Sequence, residues 1–128
     1  MTTINVTEGK FDLDDPPIVQ GADYTCTFHF TVAGVRMSLA GCTAQAQMRA
    51  RPGGDLFADF VVDVYETDDV DDEDCGRIDI SLEPADTAAI PRSGTWDLPI
   101  RDAGGEIQYT LYGDAKLRRR TTVFEDGS

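Results

Sequence analysis

Histidine occurs once in the 128 residues, cysteine three times, and no apolar run approaches the ~18 residues a membrane-spanning helix needs. Each scarcity removes a class of function. Cys26, Cys42 and Cys75 are odd in number and form no CxxC pair, so a zinc site or a disulfide framework is disfavoured and free, buried thiols are expected. Cations are scarce as well: 11 Lys and Arg face 24 Asp and Glu, a formal charge of −13 at pH 7. Phosphate contacts require Lys and Arg, so direct binding of nucleic acid is not expected. The N-terminus "MTTINVTEGK" has neither the cationic start nor the apolar stretch of a secretory signal, which leads us to expect folding in a cytoplasm and no membrane contact.

Helical periodicity is also nearly missing, and period-two alternation takes its place. Tyr24, Cys26, Phe28, Phe30 and Val32 alternate with Thr25, Thr27, His29 and Thr31, which assigns His29 to an outer face. Ala44, Ala46, Met48 and Ala50 form a second inner row, and Phe60, Val62 and Val64 a third, with "RPGGD" turning Thr43–Arg51 into Leu56–Tyr65 as a hairpin. Ile78, Ile80 and Leu82 follow, then Trp96, Leu98 and Ile100, then Ile107, Tyr109, Leu111, Gly113, Ala115 and Leu117. Pro99 has no N–H for a ladder, so its strand lies at an edge or Pro99 occupies an unpaired position. "EPADTAAIPRSG" allows at most one short helical turn, capped near Asp86 and ended by Pro91. The expected fold is all-β, a single antiparallel β-sandwich of about seven strands, immunoglobulin-like in its strand spacing. Residues 18–117 form this domain, residues 1–17 with "DLDDPP" an extended N-terminal arm, and residues 118–128 a C-terminal tail.

The run from Glu66 to Asp74 holds seven acids in nine positions: Glu66, Asp68, Asp69, Asp71, Asp72, Glu73 and Asp74. An EF-type calcium loop fails here, because Asp74 falls where glycine is needed and Ile80 where the last ligand is needed. An acidic surface loop is expected, with no cofactor and no metal. His29 lies between Phe28 and Phe30, no nucleophile-elbow sequence is present, and acids are too numerous for any pair to stand out, so no enzyme is expected. Arg118, Arg119 and Arg120 are the one concentrated positive segment and can pair bidentately with carboxylates of a neighbour. Together with Ile4, Val6 and Phe124 on the two ends, they are the candidate subunit contacts.

The order of segments carries a resemblance. "IVQGADYTCTFHF", "MSLAGCTAQAQMRAR" and "GRIDISLEPADTAAIPRSGTWDLPIRDAGGEIQYTLYGDAKLRRRTT" place Gly21, Leu39 to Gly41, Arg49, Gly76, Ile78, Ile80, Leu82, Gly94, Trp96 to Leu98, Gly105, Gly113 and Thr122 in sequence. Over about Ile18 to Thr122 the chain resembles small phage virion proteins of the tail and baseplate type, and is similar to the N-terminal sandwich domain of phage baseplate upper proteins. The resemblance implies a non-enzymatic structural or adaptor protein of a bacteriophage particle, assembled in the host cytoplasm. Its partners would be other virion subunits, further copies of itself included. Two other expectations stand beside it: a capsid-surface decoration protein, and a calcium-dependent carbohydrate-binding sandwich that uses the acidic loop.

Overall fold

The computed structural model describes residues 2–5, 9–69 and 71–119. Among them, eleven strands and one helix follow in the order β1 (Thr2–Asn5), β2 (Leu13–Val19), β3 (Tyr24–Val32), β4 (Val35–Arg36), β5 (Thr43–Ala44), β6 (Gln47–Arg49), β7 (Leu56–Asp59), β8 (Val61–Val64), β9 (Arg77–Leu82), α1 (Pro84–Ala88), β10 (Gly94–Arg101) and β11 (Ile107–Arg118). The strands form two sheets packed as a sandwich. One runs β1-β3-β9-β8 with β4 added on β3, and the other runs β2-β11-β10-β6-β7 with β5 added on β10. Pairing is antiparallel except that β1 lies parallel to β3 and β2 parallel to β11.

The alternation read from the sequence supplies the core. Phe28, Phe30, Met48, Ile78, Ile80, Leu98, Ile100 and Leu111 are fully buried. Trp96 stacks on Phe28 with ring centroids 5.7 Å apart, and Phe11 meets Phe28 edge-on at 5.5 Å. Two inner rows end early, since Val32 and Ile107 are 46% and 60% exposed at the strand ends, where no facing sheet covers them.

The strand count exceeds about seven because two expected strands divide, the N-terminal segment adds two more and the short β4 returns alongside β3. Thr43–Arg51 divides into β5 and β6. The stretch after the "RPGGD" turn divides at Phe60: β7 closes the expected hairpin with β6, whereas β8 passes to the other sheet and pairs with β9. The Phe60 N–H donates to the Ala46 carbonyl at 3.0 Å where the chain crosses over, and its ring is buried there. Pro99 belongs to a central strand. Its carbonyl accepts from Gln45 N–H between β5 and β6, and a strand residue turns N and C=O to the same side, so the missing N–H faces the break between them. The helix is a single short turn, with the Asp86 carboxylate accepting the Glu83 N–H at 3.2 Å.

The expected arm over residues 1–17 is corrected. Phe11 and Leu13 pack into the core, β1 extends one sheet and β2 the other. Pro16 and Pro17 are accommodated because β2 is an edge strand, one side of which needs no partner. Beside β11, Phe11 N–H donates to the Tyr112 carbonyl at 2.8 Å and Tyr112 N–H to the Gly9 carbonyl at 3.1 Å. This close approach requires Gly113, where any Cβ would collide with the Phe11 carbonyl. Gly113→Ala is therefore expected to lower unfolding free energy by about 1–3 kcal/mol in urea titration followed by Trp96 fluorescence. An unchanged midpoint would refute the contact.

Candidate functional site

The acidic run is a folded loop made of successive turns. Asp69 Oδ1 accepts the Asp71 N–H at 3.0 Å, Asp72 Oδ1 accepts the Asp74 N–H at 2.9 Å, and Glu66 Oε1 accepts the Gly41 N–H at 3.2 Å. Backbone bonds from Asp72 to Asp69 and from Cys75 to Asp72 tighten it. Arg36 Nη1 donates to the Asp72 carbonyl at 2.7 Å and fastens the loop to β4. Gly76 ends it with φ +74°, and a Cβ there would come within 2.8 Å of the Phe30 carbonyl and 2.9 Å of the Met37 carbonyl, so glycine lets the loop drop onto β3. Asp68, Asp71 and Glu73 are exposed. Among the described residues, no group of three or more His, Cys, Asp or Glu side chains is placed to hold a metal ion.

His29 lies on the outer phase of β3, as expected, yet it is only 3% exposed. The loop covers it, and its Nε2–H donates to the Glu73 carbonyl at 2.8 Å. Beside it, Asp79 accepts from Arg77 Nε at 3.0 Å, from Thr27 Oγ1 at 2.8 Å and from Tyr65 Oη at 2.9 Å, while Arg77 also reaches Asp74 at 3.0 Å and lies over the Tyr65 ring. Burial alone would raise the Asp79 carboxyl, but the bonds from Arg77, Thr27 and Tyr65 outweigh it and hold the group below its ordinary value. The three cysteines are free thiols, with Cys42 and Cys75 buried and Cys26 half-buried.

The candidate contact residues divide between the two ends of the sandwich. Arg118 closes β11 and is exposed, whereas Arg119 Nη2 is committed to the Pro91 carbonyl at 2.6 Å. The acidic loop meets Gly41, whose neighbour Ala103 lies in the turn that starts β11, so acids and arginines are separated by the length of that strand, about 40 Å. Val32, Val35 and Ile107, three exposed apolar side chains, lie at the acidic end. Ile4 takes part in β1 through its backbone, pairing with Phe30. Val6, Arg120 and Phe124 lie outside the described residues.

One concave feature escaped the sequence reading. The outer face of the six-stranded sheet carries a groove of about 580 Å³, floored by Thr95, Asp97 and Thr110, walled by Gln47, Arg49 and the Pro52–Gly53 turn on one side and by Lys10 and Tyr112 on the other. Arg49 is fixed by bonds to the Gly54 carbonyl at 3.0 Å and Gln47 Oε1 at 2.8 Å, and Gln47 by one to Asp59 at 2.7 Å. Partial burial raises the Asp97 carboxyl, opposed by Arg49. The available signal was Tyr112, an aromatic on the outward phase of β11, and Asp97 on the outward phase of β10.

No model of a known protein family matches the chain, and no curated protein matches it.

The Asp79 cluster gives a pH prediction. A carboxyl held below its unfolded pKa of about 3.9 contributes stability that is present above that value and lost as pH falls through the folded one. Asp79→Asn should cost about 2 kcal/mol at pH 7 in urea unfolding, and the gap from the parent should narrow in acid below pH ~4. A gap independent of pH would refute the ionised network.

Proposed function

We propose that the protein is a non-enzymatic structural or adaptor subunit of a bacteriophage particle, in the tail or baseplate, that binds neighbouring virion subunits through the ends of its sandwich. The observation that carries this reading is the polarity of the molecule. At one end the exposed Asp68, Asp71 and Glu73 stand near Val32, Val35 and Ile107, and at the other Arg118 is exposed beside the anchored Arg119. Charge of this kind sets orientation and partner choice, and the apolar side chains supply area for affinity. Contact between unlike ends is heterologous and builds rings or stacks, the geometry of a layered assembly.

The resemblance to baseplate sandwich domains supports the same reading. Several residues that carry it do indispensable work in the fold: Gly76 and Gly113 have no room for a side chain, and Ile78, Ile80, Leu82, Trp96 and Leu98 are core. Antibody labelling of particles purified from a lysate of the source tests the proposal by electron microscopy. Label at the tail or its tip is the expected result. Label over the head, or absence of the chain from intact particles, would overturn it.

A further inference from the structure

We infer that the groove on the outer face of the six-stranded sheet is a binding site for a neutral saccharide, seated on the Tyr112 ring and hydrogen-bonded at its edge by Arg49, Gln47 and Asp97. This goes beyond the subunit reading and does not rest on it. A volume of about 580 Å³ lies within the ~300–1,000 Å³ typical of ligand sites. The Tyr112 ring is 52% exposed on an outward position, but it is not loose. Its Cε1 lies 3.2 Å from where a Gly9 Cβ would stand, so the bare backbone of Gly9 lets the segment 9–11 close against the ring. A rigid aromatic with one open side suits a ligand that presents C–H groups to a face and hydroxyls around its rim.

The polar groups narrow the ligand by charge. Two cations, Lys10 and Arg49, and two anions, Asp97 and Asp114, line the groove, and Gln47, Thr95 and Thr110 are neutral. An anionic ligand would meet both aspartates on a chain of net charge −13. A cationic ligand would meet Lys10 and Arg49, and a purely apolar one would leave Asp97 unpaired and out of water. A hydroxyl both donates and accepts, so a neutral polyol satisfies carboxylate, guanidinium and amide together. The Asp59–Gln47–Arg49–Gly54 chain of hydrogen bonds holds two of these groups in place before a ligand arrives, which lowers the ordering cost of binding.

The test is to pass the full chain, in buffer containing a chelator, over immobilised neutral oligosaccharides of glucose, galactose and N-acetylglucosamine beside sialylated and uronic-acid ones. The parent should bind a neutral oligosaccharide. Tyr112→Ala and Asp97→Asn should each weaken that binding about ten-fold, and Tyr112→Phe, which keeps the ring, should retain it. All three variants should keep the parent's circular dichroism. Binding to no neutral saccharide, binding confined to the acidic ones, or binding equal to the parent's in both weakening variants would overturn the inference.

Discussion

The bond from Trp96 Nε1–H to the Phe11 carbonyl, 2.8 Å long and spanning 85 positions of sequence, ties the two halves of this architecture together. A buried indole needs a partner for its N–H, and here the partner is the backbone of the N-terminal segment. For Phe11 to bring its carbonyl there, β11 must have no side chain at Gly113. Once Phe11 is in place, its ring closes the aromatic cluster against Phe28, and the segment leading into β2 runs beside Tyr112. The core, the parallel edge strand and one wall of the outer groove therefore share a single constraint. A change at Trp96, Phe11 or Gly113 acts on all three at once.

That constraint also explains where the sequence misled. Alternation assigns the inner faces of β3, β9, β10 and most of β11 correctly, because those strands carry an apolar row on one face and a mostly polar row on the other. The N-terminal segment offers only short alternations, Ile4 with Val6 and Phe11 with Leu13, before acids and two prolines interrupt the pattern, yet a parallel edge strand needs only a few anchors. His29 follows its phase but not its expected exposure, since its cover comes from a loop 44 residues away rather than from the sheet. Phe60 reads as one more inner residue, and only the crossing between sheets reveals it as the pivot of a divided strand. The groove left a fainter trace, a tyrosine where the outward phase of β11 otherwise carries Gln108, Thr110, Asp114 and Lys116.

The two outer faces have opposite chemistry, although both are polar in sequence. On the five-stranded sheet, Thr27, Arg77, Asp79 and Tyr65 satisfy one another and the acidic loop lies over His29, so the polar face is closed by its own partners. On the six-stranded sheet, Gln47 and Arg49 are held in place but the Asp97 carboxylate lines the groove without a hydrogen bond among the described residues. Mutual satisfaction makes a face structural, and residual capacity makes a face available to a ligand.

A net charge of −13 invites a search for a basic partner, but much of the acidity has local work. Asp12, Glu66, Asp69, Asp72, Asp86 and Asp102 each accept backbone N–H groups at turns, a strand margin or the helix start. Asp102 alone serves both Gly104 and Glu106 in the turn between β10 and β11. Aspartate is favoured at such positions because its short carboxylate reaches the amide two residues on. In a sandwich with many tight connections, the same preference repeated from turn to turn contributes to the acidic composition. Within the loop, Asp68, Asp71 and Glu73 are exposed and bond no backbone amide among the described residues, so their charge is directed at solvent.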